Sequence, residues 1–588
     1  MSVVLGINAF HADASAVLVS NGSVVSAIEE ERFRRVKHWA GFPTESIAWC
    51  LKDAGISIDL VDHVAINTSP KANRLRRIFY TLSNRVDPRF IVQKVRNKRE
   101  RSDLLVQLKN AFPSNTIDAK LHFVEHHYCH LSSAFFASPF HSSAVVSVDG
   151  FGDFASTAWG YGNGSHLDVD GKIFFPHSLG AFYTAITQYL GFPNYGDEYK
   201  VMGLAPYGQP TYLEAMRDMI KLLDDGRFEL NLRYFTHATQ RLPHHWSSGT
   251  PIVGTHFSSA LEDLLGPCRS SNQLLEQHHK DIAHSAQRIY EETFFHLLNA
   301  LYSQHPVDQL CVAGGCGANS VANGKITTHT PFKEVYVQAA AGDAGGALGA
   351  ALAVWHDLDN TRCKPMGPAY LGTKFHCSEI NDLFTDEVLV DQLNNAGCSV
   401  MRIGDSELPN EDAFLDKIIS AITTGHVIGW FEGRMEWGPR ALGHRSILGD
   451  PRREDMKDIL NLKIKRRESF RPFAPSVLRE HVSDWFEIDA DVPYMMQVFP
   501  IRADKRSFIP AVCHVDGTGR LQTVTHSENG RYYRLINKFF GRTGVPMLLN
   551  TSFNENEPIV STPKEALSCF LRTNMDCLVL EDFLVSRI

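Results

Sequence analysis

The sequence predicts a two-domain α/β protein whose N-terminal domain is internally duplicated. Three observations support this prediction. A strand pattern occurs twice, two units of strand, glycine-rich turn and helix follow it, and a polar stretch separates these elements from a second set of apolar runs. The length of 588 residues is ample for more than one domain.

The repeated pattern consists of a strand, a polar or acidic turn, a second strand and an Asn-Gly turn. Its first copy comprises Val3–Asn8, His11–Asp13, Ala14–Ser20 and Asn21-Gly22, with a third run at Ser23–Ile28. Its second copy comprises Ala144–Val148, Asp149–Asp153, Ala155–Tyr161 and Asn163-Gly164. Asn-Gly between two β-rich runs indicates a hairpin, because both central residues of a type I′ turn need positive φ.

Two such openings suggest two halves that face each other across a cleft. This is the arrangement of actin-like nucleotide-binding folds, whose acidic turns face the phosphates. The pattern alone leaves open that the two hairpins are unrelated.

Two glycine-rich turns follow predicted strands in the second half. Leu310–Ala313 runs into the turn Gly314–Asn319, and Glu334–Gln338 ends in Ala341–Gly346, before a helix of small residues that continues through Ala353. A strand, a glycine-rich turn and a helix N-terminus together aim backbone N–H groups at phosphate. Either unit alone is also a common packing device.

A polar stretch with two prolines, Asp357–Tyr370, marks the predicted domain boundary. We therefore assign residues 1–356 to the first domain and 371–588 to the second. The second domain has its own apolar runs, which predict another α/β domain: Val427–Phe431, Tyr494–Phe499, Val545–Leu549 and Cys577–Leu580.

Charge and cysteine content narrow the class of protein. The chain has 58 basic and 66 acidic residues, a net charge of −8, which disfavours a dedicated nucleic-acid binder. Its eleven cysteines include no CxxC pair and suit a reducing compartment. With no visible signal peptide and no apolar run of about 18 residues, we expect a cytoplasmic protein without a membrane partner.

The segment Val124–His130 contains a pair of histidines with helical spacing. His126 and His130 are four residues apart and would lie on one face of a helix, as metal-chelating pairs do. A third ligand must come from elsewhere, and Asp343 at the second glycine-rich turn is the candidate. A hydrogen-bonded histidine pair without a metal is the alternative.

A basic cluster occupies residues 434–471, with eleven basic and six acidic residues. Arg434, Arg440 and Arg445 alternate with glycine and proline, which is not typical of a solvated helix face. Planar donors on irregular backbone suit bidentate binding of phosphate or carboxylate. The run Asn550–Ser552 could also bind phosphate, or form a side-chain-stabilised turn.

A second basic stretch, Lys71–Arg101, has eleven basic residues against Asp87 and Glu100. We interpret it as exposed helix faces. Binding of an anionic substrate or a nucleic acid is the alternative.

Taken together, the motifs of this chain resemble those of the O-carbamoyltransferases of the nodulation-factor, cephamycin and tobramycin type. The resemblance covers nearly the whole chain, and the segments that carry it are Glu29–His38, His126–His130, Gly196–Gly208, Gly314–Asn319, Gly342–Gly346, Gly433–Ser446, Lys465–Pro475, His514–Val524 and Asn550–Val560. It implies a duplicated actin-like (ASKHA) domain of the Kae1-like type, followed by a YrdC-like α/β domain.

The resemblance also implies the chemistry, a carbamoyltransferase reaction of natural-product or antibiotic biosynthesis. ATP, with Mg²⁺, and carbamoyl phosphate would be the co-substrates. The C-terminal domain would form carbamoyl-adenylate and pyrophosphate, and the N-terminal domain would transfer the carbamoyl group to a hydroxyl of a small natural product or sugar. A metal, Fe²⁺ or another divalent ion, would sit in the N-terminal site.

The residues implied in each role are carried over from the matching motifs. The metal ligands would be His126, His130 and Asp343, and the catalytic residues His11, Lys37 and His127. The N-terminal nucleotide site would comprise Asp149, Gly150, Gly315, Asn319 and Gly342. The site for carbamoyl phosphate and ATP would comprise Arg434, Arg440, Arg445, Lys465, Arg467, Arg471, Arg520, Asn550, Thr551 and Ser552. Many relatives have the histidine directly followed by aspartate, whereas here Ala12 separates His11 from Asp13.

Two other functions compete with this one. The first keeps the folds but makes tRNA the acceptor, as in threonylcarbamoyl-adenosine synthesis, and only Lys71–Arg101 supports it. The second is a non-catalytic, nucleotide-binding regulatory protein. The acceptor cannot be identified from the sequence; we expect a small molecule rather than a nucleic acid, and a homodimer is a reasonable expectation from the family.

Overall fold

The computed structural model describes residues 2–83, 104–239, 244–465, 467–468 and 470–587. The part of the basic stretch from residue 84 to Arg101 lies outside the described residues. The chain divides into two compact units. Unit 1 comprises Met1–Val201, Gly208–Ala318 and Ile326–Gly367, and unit 2 comprises Met202–Tyr207, Asn319–Lys325 and Pro368–Ile588.

The strands are numbered in chain order. They are β1 Val3–Asn8, β2 Ser15–Ser20, β3 Ser23–Glu29, β4 His63–Ile66, β5 Lys120–Phe123, β6 Ser142–Gly152, β7 Ala155–Asn163, β8 His166–Phe174, β9 Ile220–Leu222, β10 Phe228–Leu230, β11 His244–Ser247, β12 Thr250–Val253, β13 Gln309–Ala313, β14 Glu334–Val337, β15 Cys398–Arg402, β16 Ile428–Phe431, β17 Arg445–Gly449, β18 Ala474–Leu478, β19 Gln497–Pro500, β20 Thr518–Val524, β21 Met547–Ser552, β22 Cys577–Leu580 and β23 Phe583–Arg587.

The helices are numbered in the same way. They are α1 Glu31–Arg34, α2 Thr44–Asp53, α3 Arg74–Ser83, α4 Leu104–Ala111, α5 His126–Phe135, α6 Leu179–Tyr189, α7 Glu198–Leu204, α8 Leu213–Arg217, α9 Ser259–Leu265, α10 Gln277–Gln304, α11 Ser320–His329, α12 Asp343–Leu358, α13 Cys377–Leu383, α14 Glu387–Asn395, α15 Glu411–Thr423, α16 Met456–Leu460, α17 Val482–Trp485, α18 His526–Thr543 and α19 Pro563–Arg572.

Two five-stranded sheets of the same topology form the framework of unit 1. Their orders are β3-β2-β1-β4-β5 and β8-β7-β6-β13-β14. In each sheet the first three strands form an antiparallel meander, and two further strands add in parallel beside the first strand. The predicted duplication is therefore confirmed by the order and direction of all ten strands.

The first meander is closed by the turn that its sequence predicts. Asn21 and Gly22 have φ of 49° and 70°, the positive values that a type I′ turn requires. The strands place Leu5, Ile7, Ala16 and Leu18 in a core against α2 and α4. Val4, Val17 and Val19 on the other face are buried as well, so both faces of these strands are covered.

Unit 2 is built on one mixed sheet of nine strands, ordered β15-β23-β22-β16-β17-β21-β18-β20-β19. Helices α15, α18 and α19 contribute buried apolar side chains to its core, among them Phe414, Leu535 and Phe570. The predicted runs Val427–Phe431 and Cys577–Leu580 lie at the centre of this sheet as β16 and β22. Both units are thus α/β, as predicted.

In the described parts of the chain, no helix combines the length and the apolar character needed to cross a membrane.

Candidate functional site

Helix α5 carries the predicted histidine pair and packs against β6, β7 and β13 of the second sheet of unit 1. The helix begins after Glu125, whose carboxylate accepts a hydrogen bond from Tyr128 N at 2.8 Å. His126 and His130 are buried on one face, with their Nε2 atoms 3.0 Å apart. The sequence prediction that these two side chains share a helix face is confirmed.

Close packing of glycines brings Asp343 to the same place. Helix α12 begins at Asp343, and its small residues let it approach both neighbours closely. A Cβ atom on Gly349 would lie 1.7 Å from the carbonyl oxygen of Cys129 on α5, and one on Gly6 of β1 would lie 2.0 Å from the carbonyl oxygen of Ala347. Asp343 Oδ1 consequently lies 3.5 Å from His126 Nε2.

Asp149 completes the cluster. Its Oδ2 lies 3.1 Å from His126 Nε2 and 3.0 Å from His130 Nε2, while its Oδ1 accepts hydrogen bonds from Gly150 N and Gly315 N. From the sequence, Asp149 was predicted to bind nucleotide only. The sequence does contain a signal for its role in the cluster. Asp149 is the first residue of the second acidic turn, which belongs to the repeat that predicts the duplication.

The charges of this cluster are strongly coupled. Burial acts to raise the pKa of Asp149, but hydrogen bonds from His126 and His130 hold it well below the usual range. Burial acts to lower the pKa of His126, but the bond to Asp149 and the charge of Asp343 raise it to about 9. Each histidine thus lies close to two partly buried carboxylates, and their negative charge also favours a cation.

These four side chains fit a divalent metal. One ligand atom from each of His126, His130, Asp149 and Asp343 lies within 4.8 Å of the others. Two imidazole Nε2 atoms that face each other across a carboxylate, inside a buried pocket, are a donor set that binds Zn²⁺ or non-haem Fe²⁺. A bound cation would displace the protons that these imidazoles otherwise hold.

Of the predicted catalytic residues of unit 1, His11 lies near the histidine cluster and Lys37 lies at the surface. The His11 ring lies 5.8 Å from that of His126, and burial lowers its pKa, so the imidazole is neutral and able to accept a proton. Lys37 is exposed. Its positive charge limits the rise in the pKa of His38 and adds to the lowering of the pKa of Glu31.

His127 differs from the prediction. It is fully buried, its Nδ1 lies 2.9 Å from Ser147 Oγ, and burial lowers its pKa to about 4. Consecutive residues on a helix point in different directions, so His127 faces the core while its neighbour His126 faces the cluster. We assign it a packing role.

The glycines predicted to cradle a nucleotide surround Asp149. Gly315 N bonds to its carboxylate, and a Cβ on Gly342 would lie 3.8 Å from Gly315 Cα. A Cβ atom on Gly150 would contact no other part of the protein within 4 Å, so the space beside this residue is open. Asn319 belongs to unit 2, where its side-chain oxygen accepts a hydrogen bond from Ala322 N at the start of α11.

A separate ion pair lies near the N-terminus of unit 1. His38 Nδ1 is 2.8 Å from Asp13 Oδ1. Burial acts to lower the pKa of His38, but the Asp13 and Glu31 carboxylates more than offset it and raise the pKa to about 9.

This shift predicts a pH-dependent stability. The folded-state pKa of His38 exceeds the ordinary value of 6.5, so the pair stabilises fully below about pH 6.5 and less as pH rises to about 9. We expect the difference in free energy of unfolding between wild type and His38→Gln to shrink over that range in urea titrations. A difference that stays constant with pH would show that the pair does not ionise as described.

In unit 2, four of the predicted arginines form a cationic cluster. Burial and the charges of Arg440, Arg467 and Arg471 hold the pKa of Arg520 well below its usual range. Arg471 and Arg520 line a cleft together with Lys457, His514 and Phe470. Burial, with Arg520 and Lys457, lowers the pKa of His514 to about 4, so this imidazole is neutral. Such an excess of positive charge calls for an anion.

Unmatched polar atoms accompany this cluster. Arg520 Nε and Asn550 Oδ1 are buried, and neither has a hydrogen-bond partner among the residues that the structure describes. The Asn550 amide group donates to Ser476 Oγ at 2.9 Å and to Gln522 Oε1 at 3.1 Å. Because buried polar groups are rarely left unpaired, these atoms point to a polar ligand.

Other predicted ligands of unit 2 are engaged within the fold. Arg445 donates to the carbonyl oxygens of Glu432, Gly433, His444 and Thr373 and lies 3.6 Å over the Phe431 ring. This differs from the prediction: irregular backbone supplies acceptors as readily as it presents donors, so the guanidinium holds the loop together. We assign Arg445 a structural role.

Lys465 and Arg434 are engaged in the same way. Lys465 Nζ donates to Ser552 O at 2.6 Å and to Asn554 O at 2.7 Å, and it is 2% exposed. Arg434 donates to Leu371 O at 2.8 Å. Thr551 and Ser552 are half-buried at the end of β21, where Ser552 Oγ donates to Asn554 Oδ1. Lys465 therefore joins its own segment to the turn at the end of β21.

Glu436 positions the loop that carries Arg440, a role that the sequence analysis missed. Its buried Oε1 accepts hydrogen bonds from the backbone N–H groups of Leu442, His444 and Arg445, at 2.7, 2.8 and 3.1 Å. A carboxylate with no nearby helix N-terminus in the sequence gave no signal of this role.

Glu436→Ala should therefore destabilise unit 2 by about 3 kcal/mol or more, because three buried donors lose their acceptor. Glu436→Gln, which retains one oxygen, should lose less. Denaturant unfolding checks both, with the exposed Glu454→Ala as control. Equal stability of Glu436→Ala and wild type would contradict the role assigned to this carboxylate.

Comparison with known proteins identifies the family. The model of the carbamoyltransferase N-terminus matches residues 3–352, and that of the carbamoyltransferase C-terminus matches residues 419–587. The chain belongs to the carbamoyltransferase family. The resemblance found in the sequence is thereby confirmed, as is the class of enzyme, one that transfers carbamoyl groups.

Relatives of this carbamoyltransferase include proteins with stated roles. Nodulation protein NolNO of Sinorhizobium fredii is 37% identical over 99% of this chain and 80% of its own length. The 3′-hydroxymethylcephem-O-carbamoyltransferase of Amycolatopsis lactamdurans is 33% identical over 42% of each chain. Among solved structures, HypF of T. kodakarensis aligns with a TM-score of 0.32 and 12% identity, over 61% of this chain and 48% of that one.

Proposed function

We propose that this protein is an ATP-dependent O-carbamoyltransferase that makes carbamoyl-adenylate in unit 2 and transfers the carbamoyl group in unit 1. The observation that carries the proposal is the presence of two polar centres of opposite character. Unit 2 gathers four arginines, two of which line a cleft, and unit 1 gathers two histidines and two aspartates. The first suits phosphate groups, and the second suits a cation and the transfer of a proton.

In unit 2, a YrdC-like domain in this proposal, Arg440, Arg467, Arg471 and Arg520 bind carbamoyl phosphate and ATP. Hydrolysis of carbamoyl phosphate gives carbamate and phosphate. A carbamate oxygen then attacks the α-phosphorus of ATP, the bond to the β-phosphate breaks, and pyrophosphate leaves. The guanidinium groups neutralise the negative charge that gathers on the phosphates, which is the main demand of phosphoryl chemistry.

In unit 1, the actin-like domain, Gly150, Gly315 and Gly342 accommodate the nucleotide beside Asp149. The acceptor hydroxyl attacks the carbamoyl carbon, the bond to the AMP phosphate breaks, and AMP leaves. His11, neutral and near the cluster, accepts the hydroxyl proton. A divalent metal on His126, His130, Asp149 and Asp343 would supply positive charge for the nucleotide phosphate.

The relative that carbamoylates 3′-hydroxymethylcephem favours a small-molecule hydroxyl acceptor for this chain as well. The test is to incubate the protein with ATP, carbamoyl phosphate, Mg²⁺ and a panel of hydroxylated sugars and natural products. We expect pyrophosphate and AMP, together with one product heavier by a single carbamoyl group in mass spectrometry. Pyrophosphate release that does not depend on carbamoyl phosphate would overturn the proposal.

A further inference from the structure

Helix α3 presents an apolar stripe that the described residues of the chain leave exposed. Its residues Leu75, Ile78, Phe79 and Leu82 follow the i, i+3, i+4, i+7 pattern of one helix face. Their side chains are 84%, 55%, 69% and 73% exposed. Residues at this spacing in a globular protein normally face a core, so an exposed stripe of four marks an interaction surface.

The opposite face fixes the helix to unit 1. The Tyr80 ring packs edge-on against Phe154 and Phe175, with centroids 5.7 and 5.2 Å away. Arg77 pairs with Asp153 at 3.3 Å, and Arg76 lies 5.2 Å from the Phe174 ring. The stripe therefore points outward because the other face is anchored.

The charges of α3 and its flanking residues determine which kind of partner the stripe can bind. From residue 71 to residue 83 the sequence has four basic residues, Lys71, Arg74, Arg76 and Arg77, and no acidic residue. A second copy of the same helix would bring like charges together, which disfavours self-pairing. Arg76 and Arg77 contact unit 1 on the anchored face, so the exposed Lys71 and Arg74 are the cations available beside the stripe. An apolar stripe with such cations beside it is complementary to a surface that is apolar within and anionic outside.

We propose that α3 is a membrane-docking helix, which lies in the headgroup region of an anionic bilayer with its apolar stripe inserted. This departs from our expectation, drawn from the sequence, of no membrane partner. That expectation rested on the lack of a spanning segment, and a helix that lies on the surface needs none. Asp153 also accepts a hydrogen bond from His126 N, so docking of α3 would hold the histidine cluster close to the lipid surface.

Vesicle flotation of the full chain tests this proposal. The probes are vesicles of phosphatidylcholine alone and of phosphatidylcholine mixed with phosphatidylglycerol. We expect wild type to float with the anionic vesicles, to float less at raised salt, and to stay behind with neutral ones. The double variant Leu75→Ser/Phe79→Ser should bind at least about tenfold more weakly, because two large apolar side chains no longer insert.

A matched control is Leu274→Ser, since Leu274 is 85% exposed in unit 1 but lies away from α3 in sequence. It should bind like wild type, and all variants should keep wild-type circular dichroism because the replaced side chains are exposed. Three results would overturn the proposal: no flotation of wild type with anionic vesicles, equal flotation of wild type and the double variant, or a stripe that mediates self-association in sedimentation velocity or tRNA binding instead of vesicle binding.

Discussion

His130→Ala should slow carbamoyl transfer by about a hundredfold or more while carbamoyl-phosphate-dependent release of pyrophosphate continues. The substitution removes one of the two imidazoles of the cluster in unit 1 and leaves the arginines of unit 2 unchanged. Loss of a group that stabilises charge in the transition state costs about a hundredfold to a thousandfold in rate. Transfer is measured as carbamoylated product, release as pyrophosphate, and metal content by inorganic mass spectrometry of the purified protein.

His127→Gln provides the matched control. His127 is the neighbour of a cluster residue on the same helix, yet it bonds to Ser147 in the core. We expect its transfer rate and metal content to stay close to wild type. The assignment of separate centres would be contradicted if His130→Ala stopped pyrophosphate release as well as transfer.

Arg520→Met should have the opposite pattern, with loss of pyrophosphate release by about tenfold to a hundredfold. A hydrogen bond to a charged group contributes about 1.5–3 kcal/mol. The Arg520 Nε–H has no acceptor among the described residues, so it is available to a bound phosphate. The readout is the initial rate of pyrophosphate formation from ATP and carbamoyl phosphate.

A second readout distinguishes binding from folding. The charges of Arg440, Arg467 and Arg471 already disfavour the charged form of Arg520, so the neutral methionine relieves repulsion in the free protein. We expect the melting temperature of Arg520→Met to equal or exceed that of wild type, and added pyrophosphate to raise it less. Arg453→Ala, at a partly exposed arginine paired with Asp455, should change neither property. A fall in melting temperature without added anion would mean that Arg520 supports the fold instead.

Local sequence patterns predicted much of the framework. Val3–Asn8 and Cys577–Leu580 were predicted with the bounds that the structure gives, because short apolar runs flanked by turns leave few alternatives. The duplication followed from two hairpins marked by Asn-Gly. The first turn has the predicted positive φ at both residues, whereas in the second only Gly164 does, because Asn163 ends β7. The start of β19 was predicted at Tyr494, but the strand begins at Gln497. Apolar residues before a strand can be buried without pairing to a neighbouring strand.

The candidate sites were predicted less evenly. Helical spacing was enough to place His126 and His130 together, since the distance between positions i and i+4 is fixed by the helix. The roles of the buried arginines were harder to predict. The residue type shows which ligands an arginine can bind, but not whether acceptors within the fold already occupy its donors. Arg445 and Arg520 look alike in the sequence, yet one is surrounded by carbonyl oxygens and the other by positive charge.

The most direct test of the central claim is exchange of labelled pyrophosphate into ATP without any acceptor. Formation of carbamoyl-adenylate is reversible, so labelled pyrophosphate should enter ATP only when carbamoyl phosphate is present. We expect this exchange in wild type and in His130→Ala, and its loss in Arg520→Met. Absence of exchange in wild type, or exchange without carbamoyl phosphate, would contradict an adenylate made in unit 2.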